Sequence, residues 1–276
     1  MHLGLGINRK FLLLLHHALM LYRKVILKKE IKSIHFYPEK PKIFDVMYKV
    51  SIWNGYNISD LSENADIKFH WEDVTFPKVI NDKTFINSQC KTISKVDVEK
   101  SFEKIFGYKL FLNPITFIGK CVKKNDLNAK HDGIIIDCPI AKTEKGFVYQ
   151  YLINNSIDIN KVEDIRIPFI KDKIPFVYLK YRPIKTRFSN DNKFTKMKKV
   201  SNVLSNDEKI NIIRVCNDMK IEYCEIDAIR DYPAGKLYIV DINHCPSGPP
   251  NHLSLFSTLS AIKLISKTFD NKFGIR

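Results

Sequence analysis

Residues 225 to 250 read EIDAIRDYPAGKLYIVDINHCPSGPP, in which two largely apolar stretches flank a turn and carry acidic and amide side chains. The Pro and Gly between the stretches are typical of turn residues. If residues 232 to 236 form the loop of a hairpin, Asp227 lies directly opposite Asp241. Cross-strand neighbours in an antiparallel pair have Cβ atoms about 4.5 to 5.5 Å apart. The sequence therefore predicts a hairpin that brings two carboxylates together.

These two carboxylates repel each other, and burial strengthens the repulsion. A strand of period two puts Ile239, Asp241 and Asn243 on one face, so Asn243 adds a neutral oxygen beside Asp241. Three oxygen ligands suit Mg²⁺, which keeps its other positions for water and substrate phosphates. A neighbouring lysine would also relieve the repulsion, and a slipped register would leave a solvated pair. The sequence alone leaves these alternatives open.

The composition of the chain is that of a soluble globular protein: 276 residues, of which 45% are hydrophobic and 27% are charged. The net charge of +15 raises the question of nucleic-acid binding, but lysines are dispersed from residue 10 to residue 272. We therefore expect phosphate-bearing small molecules as partners and no nucleic acid. The six cysteines contain no CxxC pair, which indicates buried free thiols in a cytoplasmic protein.

The segment FLLLLHHALMLY, residues 11 to 22, is too short to span a bilayer, and no small-residue cleavage site follows it. We expect an amphipathic helix that packs on the protein body or makes a peripheral membrane contact. The stretch IFDVMYKVSIW, residues 43 to 53, predicts a strand. Residues 94 to 107, SKVDVEKSFEKIFG, predict an amphipathic helix that Ser94 caps and Gly107 ends.

The middle of the chain alternates short apolar stretches with turns, which predicts several strands. A capping box at Ser205 and Glu208 begins a second helix, and a last helix is predicted over about 252 to 268. Antiparallel strands combined with such helices indicate the α+β class. The strand-like stretches are YKLFL, GKCVKK, GIIIDC, GFVYQYLI, EDIRIPFI and IPFVYLKY.

The stretch from 225 to 250 resembles the C-terminal signature of ATP-grasp enzymes. In that signature an Asp, an acidic residue on the next strand and an Asn two places later hold the magnesium of MgATP. The resemblance implies Asp227, Asp241 and Asn243 as the metal ligands, although family members commonly have Glu at the position of Asp241. It also implies an ATP-grasp fold, with two α+β subdomains and the nucleotide between antiparallel sheets.

The order of the predicted elements agrees with this family over roughly residues 85 to 250. Residues 1 to 84 resemble no family segment, and we expect them to form the N-terminal helix and a pre-ATP-grasp region. The ATP-grasp domain would occupy residues 85 to 276, with a linker between its subdomains near residues 147 to 153. Residues 125 to 133, NDLNAKHDG, would form the loop that covers the phosphates.

The resemblance also implies roles for single residues. Two lysines would contact the nucleotide, backbone groups of the linker would face adenine, a glutamine would line the pocket, and two arginines would point at the reaction centre. The arginines lie on a pair of strands similar to that of glutamate-adding ligases. These residues are Lys95 and Lys123 for the lysines, Tyr151 and Leu152 for the linker, Gln150 for the glutamine, and Arg166 and Arg182 for the arginines.

The implied activity is ATP-dependent ligation of a carboxylate to an amine through an acyl phosphate, with ATP and Mg²⁺ as cofactors. Arg182, with Arg166 as the second choice, would stabilise the transferred phosphoryl group. The substrates would be small-molecule, peptide or saccharide carboxylates and amines. Two alternatives remain: a kinase that phosphorylates a hydroxyl or a sugar on the same scaffold, and a non-catalytic basic binding protein.

Overall fold

The computed structural model describes residue 18 and residues 32–63, 65–130, 132–189 and 191–274. The predicted N-terminal helix, but for Ala18, lies outside the described residues. The described residues form twelve strands and four α-helices, and two of the three sheets are antiparallel. The α+β class is therefore confirmed. None of the described helices has the length and apolar character needed to cross a membrane.

The N-terminal part of the described chain is a four-stranded parallel sheet with the strand order β2-β1-β3-β4. A helix, α1 (Val46–Asn54), connects the first two strands. The strands are β1 (Ser33–Pro38), β2 (Asn57–Ser59), β3 (Ile67–Trp71) and β4 (Phe85–Ile86).

The strand predicted for residues 43 to 53 is wrong, because most of this segment forms α1. Val46, Met47 and Val50 are fully buried, and their spacing fits one face of a helix. Gly55 ends the helix in the left-handed conformation, with φ 73°. A dense apolar run satisfies both the helical and the strand period, and the packing of the segment selects the helix.

The second sheet has three antiparallel strands in the order β6-β5-β7. It follows helix α2 (Lys95–Phe106), which Ser94 caps and Gly107 ends as predicted. The predicted strand YKLFL contributes only an isolated bridge, between Phe111 and Gln150. The strands of this sheet are β5 (Gly119–Asn125), β6 (Ile134–Cys138) and β7 (Phe147–Tyr151).

The third sheet has five antiparallel strands in the order β10-β9-β8-β11-β12. Helix α3 (Asn206–Asp218) begins with the predicted capping box at Ser205 and Glu208, and the last helix is α4 (Leu255–Phe273). The strands are β8 (Lys161–Ile170), β9 (Val177–Pro183), β10 (Phe194–Lys198), β11 (Tyr223–Arg230) and β12 (Leu237–Asn243).

The two faces of the five-stranded sheet have different surroundings. One face shares an apolar core with α2 and α3, through residues such as Ile167 and Ile226. The opposite face is apolar only at one end, where Tyr178 and Tyr223 join a second core with α4 and the parallel sheet. The remainder of that face carries charged side chains and lies next to the three-stranded sheet, since Lys124 of β5 contacts Val240 of β12.

Candidate active site

The site is built on the hairpin of β11 and β12. Asp227 pairs with Asp241, as the sequence predicts, although near the turn the register differs by one residue and Arg230 pairs with Leu237. A bulge in β12 brings Asp241 back opposite Asp227. Ala228 pairs with Ile239, so Val240 is an extra residue between Ile239 and Asp241. The bulge also places Ile239 and Asp241 on opposite faces, so the predicted common face is wrong for this pair.

Two basic side chains neutralise Asp227. Arg166 of β8 donates from Nε and Nη2 to the two carboxylate oxygens, at 3.1 and 2.9 Å. Lys180 of β9 donates from Nζ at 2.6 Å. Burial alone would raise the pKa of Asp227, but these two cations outweigh it and hold the pKa far below its usual range. Basic side chains therefore relieve the repulsion between the two acids.

Asp241 has weaker partners than Asp227. Its Oδ1 accepts a hydrogen bond from the Ile242 backbone at 3.1 Å and lies 3.9 Å from Lys95 Nζ. Burial raises the pKa of Asp241, and the two lysines nearby, Lys95 and Lys124, act in the opposite direction. About a third of the Asp241 side chain is exposed, at 33%. This carboxylate is therefore the more accessible of the two.

Lys95 and the loop that follows β5 are connected. Lys95 Nζ donates to Leu127 O at 3.0 Å and lies 3.3 Å from Asn128 Oδ1. Asn128 Nδ2 in turn donates to Ile242 O at 2.9 Å. The first part of the predicted phosphate-covering loop is thus anchored on the strand that carries Asp241. His131 of that loop lies outside the described residues.

The adjacent lysines of β5, Lys123 and Lys124, point to opposite faces of the strand. Lys123 forms an ion pair with Glu144 and lies 4.4 Å from the centre of the Phe147 ring. Lys124 instead donates to Val240 O at 3.1 Å, next to Asp241. Burial lowers the pKa of Lys124 to about 8, against the influence of Asp241. The lysine of this strand that reaches the acidic hairpin is therefore Lys124, one residue after the predicted Lys123.

The predicted linker runs along β7. Gln150 is buried and pairs with Val122, on the face of the small sheet that also carries Lys124. The Tyr151 N–H donates to Leu110 O, and the Tyr151 carbonyl accepts from Ile153. Leu152 directly follows β7, next to Tyr151, which pairs with Cys121 of β5. The linker residues Tyr151 and Leu152 therefore lie at the end of the strand that carries Gln150.

The two predicted arginines have different partners. Arg166 contacts Asp227 directly, whereas Arg182 is buried and forms an ion pair with Asp164. Arg182 also donates to the carbonyls of Arg187, at 3.2 Å, and Ser189. Arg166 is therefore the arginine at the acidic pair, and Arg182 connects β8 to the segment after β9.

Four charged residues near the acidic pair were not predicted from the sequence. They are Lys124, Lys180, Asp164 and Glu225. Alternation along VYLKYRP places Lys180 on the same face as Arg182, and this signal could have identified Lys180. Asp164 and Glu225 each lie two residues from a predicted site residue, on the same face. Together with the predicted residues they form a charged cluster around the hairpin acids. This cluster has more basic than acidic members, so its net positive charge favours binding of a polyanion. The basic members are Lys95, Lys124, Arg166, Lys180 and Arg182, and the acidic members are Asp164, Glu225, Asp227 and Asp241.

The donor set of the hairpin matches the ligand chemistry of Mg²⁺, since it offers two carboxylates and an amide oxygen. The Asn243 Oδ1 accepts one hydrogen bond, from Cys245 N–H at 2.8 Å, and keeps a second lone pair. In the described part of the chain, no group of three or more His, Cys, Asp or Glu side chains is placed to hold a metal. Metal binding at this site would therefore require the amide oxygen of Asn243. Asp227 would also have to release one of its basic partners in exchange for the metal ion.

No protein-family model matches this chain, and no curated protein matches it. Solved structures of ATP-grasp ligases are similar to it. The ATP-grasp ligase PsnB complexed with a minimal precursor has 10% identity and a TM-score of 0.41, covering 64% of this chain and 60% of PsnB. The macrocyclase MdnC, bound with precursor peptide MdnA from Microcystis aeruginosa MRC, has 13% identity and a TM-score of 0.38, covering 64% and 59%.

A third similar structure is the D-alanine–D-alanine ligase from Bacillus anthracis, with 11% identity and a TM-score of 0.45. That match covers 88% of this chain and 96% of the ligase. The chain thus spans most of the length of this ligase but about 60% of PsnB.

Proposed function

We propose that the protein binds MgATP between the three-stranded and five-stranded sheets and uses it to ligate a carboxylate to an amine. The observation that carries this proposal is the opposition of Asp227 and Asp241 among basic side chains from both sheets. Such a cluster provides oxygen ligands for a divalent cation and positive charge for phosphates in one place.

Mg²⁺ would be held by Asp227, Asp241 and Asn243, and it would supply positive charge at the phosphate oxygens. Lys95 and Lys124 would contact the phosphates, with Lys124 in the role that the sequence suggested for Lys123. Gln150 and the backbone of Tyr151 and Leu152 would bind adenine. The loop that begins at residue 125 would cover the phosphates, because Lys95 and Asn128 already fix it beside Asp241.

The chemistry would proceed in two displacements. A carboxylate oxygen of the first substrate bonds to the γ-phosphorus of ATP as the bond to ADP breaks, which gives an acyl phosphate. The amine of the second substrate then bonds to the acyl carbon, loses a proton and expels phosphate. Both steps develop negative charge on oxygens, which a planar guanidinium stabilises through paired hydrogen bonds. Arg166 is the guanidinium nearest the acidic pair, and Arg182, which forms an ion pair with Asp164, would be the second candidate for this role.

The substrates we propose are small-molecule, peptide or saccharide carboxylates and amines. The test is to incubate the protein with ATP, Mg²⁺ and pooled carboxylates, and to add hydroxylamine to trap an acyl phosphate as a hydroxamate. Hydroxamate formed in step with ADP and free phosphate supports the ligase. A stable phosphate ester on a hydroxyl, with no hydroxamate, would show a kinase instead. No consumption of ATP with any pool would favour the non-catalytic binding protein.

A further inference from the structure

Glu225 is a buried carboxylate beside the acidic pair. It lies on β11, two residues before Asp227, and is 2% exposed. Neither carboxylate oxygen has a hydrogen-bond partner within the described residues. Its nearest cation is Arg166, whose Nη1 lies 3.5 Å from Oε2, beyond the usual range of about 2.7 to 3.2 Å for an N–H···O bond. A buried acceptor left in this state destabilises the folded protein, so a missing donor is expected.

The neighbouring acid, Asp227, instead accepts three hydrogen bonds from basic side chains. Arg166 uses Nε and Nη2 on its two oxygens, and Lys180 adds a third hydrogen bond. A metal ion held by Asp227 needs the same oxygens. The pairing seen here and metal ligation therefore compete, while unused acceptors lie next to the same guanidinium.

We propose that Arg166 moves from Asp227 to Glu225 when Asp227 binds Mg²⁺. Glu225 is then a positioning residue, which acts on the metal site through Arg166. The inference rests on the proposed MgATP site. The exchange transfers no proton and breaks no covalent bond, since Asp227 replaces a guanidinium with a cation of higher charge. It also gives the two oxygens of Glu225 the donors that they lack.

A simpler role for Glu225 is that of a fixed negative charge, which would attract Mg²⁺ regardless of Arg166. A double-mutant cycle separates the two roles, because exchange requires coupling between Glu225 and Arg166. The variants are Glu225→Gln, Arg166→Met and their combination. Glu103→Gln is the matched control, since Glu103 of α2 pairs with Lys109, which follows the helix, and both lie outside the charged cluster.

The readout is the Mg²⁺ concentration at half-maximal thermal stabilisation in saturating ATP. Glu225→Gln should raise this concentration about tenfold, within the range typical of coupled sites. In the Arg166→Met background the same substitution should change it by less than about twofold, the usual limit of additivity. An equal rise in both backgrounds would show simple electrostatic attraction, and no rise in the parent background would show no role; either result overturns the exchange.

A structure of the unaltered protein with Mg²⁺ and a non-hydrolysable ATP analogue gives an independent test, and it decides the question if a variant fails to fold. The exchange predicts Arg166 hydrogen-bonded to Glu225 and Asp227 bound to the metal. Arg166 still bonded to both oxygens of Asp227, with metal and nucleotide present, would overturn the exchange and leave the MgATP site intact. Failure of the unaltered protein to bind the analogue would instead overturn the proposed function itself, and the exchange with it.

Discussion

Asp227 and Asp241 face each other across the hairpin because a single extra residue, Val240, corrects a register that is offset at the turn. Without the bulge, Asp241 would point into the apolar core where Ile239 and Ile242 lie. The bulge thus places the second carboxylate on the charged face. Bulges commonly reorient a side chain beside a functional site in this way.

The first prediction concerns the metal dependence of ATP binding. MgATP at a hundredfold excess over its dissociation constant should stabilise the parent by about 2.7 kcal/mol. Asp241→Asn should remove the part of this stabilisation that depends on magnesium, because it removes a carboxylate ligand. Thermal unfolding with ATP and either Mg²⁺ or EDTA measures the difference.

The control for this prediction is Asp137→Asn, because Asp137 is 82% exposed on β6 and pairs with Lys120, away from the hairpin. This substitution should leave the magnesium-dependent stabilisation unchanged. Equal magnesium-dependent stabilisation in Asp241→Asn and in the parent would remove Asp241 from the metal site.

The second prediction compares the adjacent lysines of β5. Lys124→Met should weaken ATP binding about tenfold or more, since a charge-assisted hydrogen bond contributes about 1.5 to 3 kcal/mol. Lys123→Met should have a small effect, because Lys123 pairs with Glu144 on the other face. Calorimetric titration of both variants with MgATP gives the comparison. A larger loss from Lys123→Met would restore the assignment made from the sequence.

The third prediction follows from the lowered pKa of Lys124. Burial lowers this pKa to about 8, so the ammonium form predominates below that pH and the neutral amine above it. Because phosphate binding needs the ammonium, ATP affinity should fall by up to about tenfold for each pH unit above the pKa. Lys124→Arg should show little of this fall, since arginine stays charged. Titrations between about pH 6.5 and 9.5 make the comparison, and parallel profiles for parent and variant would refute it.

The fourth prediction concerns Arg182, which contacts Asp164 and two backbone carbonyls. A lysine cannot reach all three acceptors, so Arg182→Lys should lower the free energy of unfolding by about 1 to 3 kcal/mol. Chemical denaturation without nucleotide provides the measurement. The control is Arg214→Lys on the exposed side of α3. Unchanged stability in Arg182→Lys would mean that these contacts do not support the fold.

The sequence predicted the features that depend on local patterns. The caps at Ser94 and Ser205 and the opposed acids of the hairpin follow from short-range rules and are present. The segment around α1 was mispredicted because its apolar residues fit two periods, and tertiary packing decides between them.

The details of the site were harder to predict, because they depend on strand parity and on pairing between distant segments. Choosing Lys124 over Lys123 requires knowing which face of β5 meets β12. The partnership of Arg166 and Lys180 with Asp227 joins residues 47 to 61 positions apart, which no local pattern contains. The resemblance to ATP-grasp enzymes indicated the acids, the amide, Lys95 and the two arginines, and the structure adds Lys124 and Lys180 beside them.

Calorimetric titration of the unaltered protein with ATP tests most directly whether this hairpin binds MgATP. With Mg²⁺ present, we predict one saturable site per chain with a dissociation constant below about 1 mM, the upper end of usual enzyme affinities for substrates. With EDTA in place of Mg²⁺, binding should be clearly weaker. No saturable binding in the presence of Mg²⁺, or equal binding with and without it, would contradict the account.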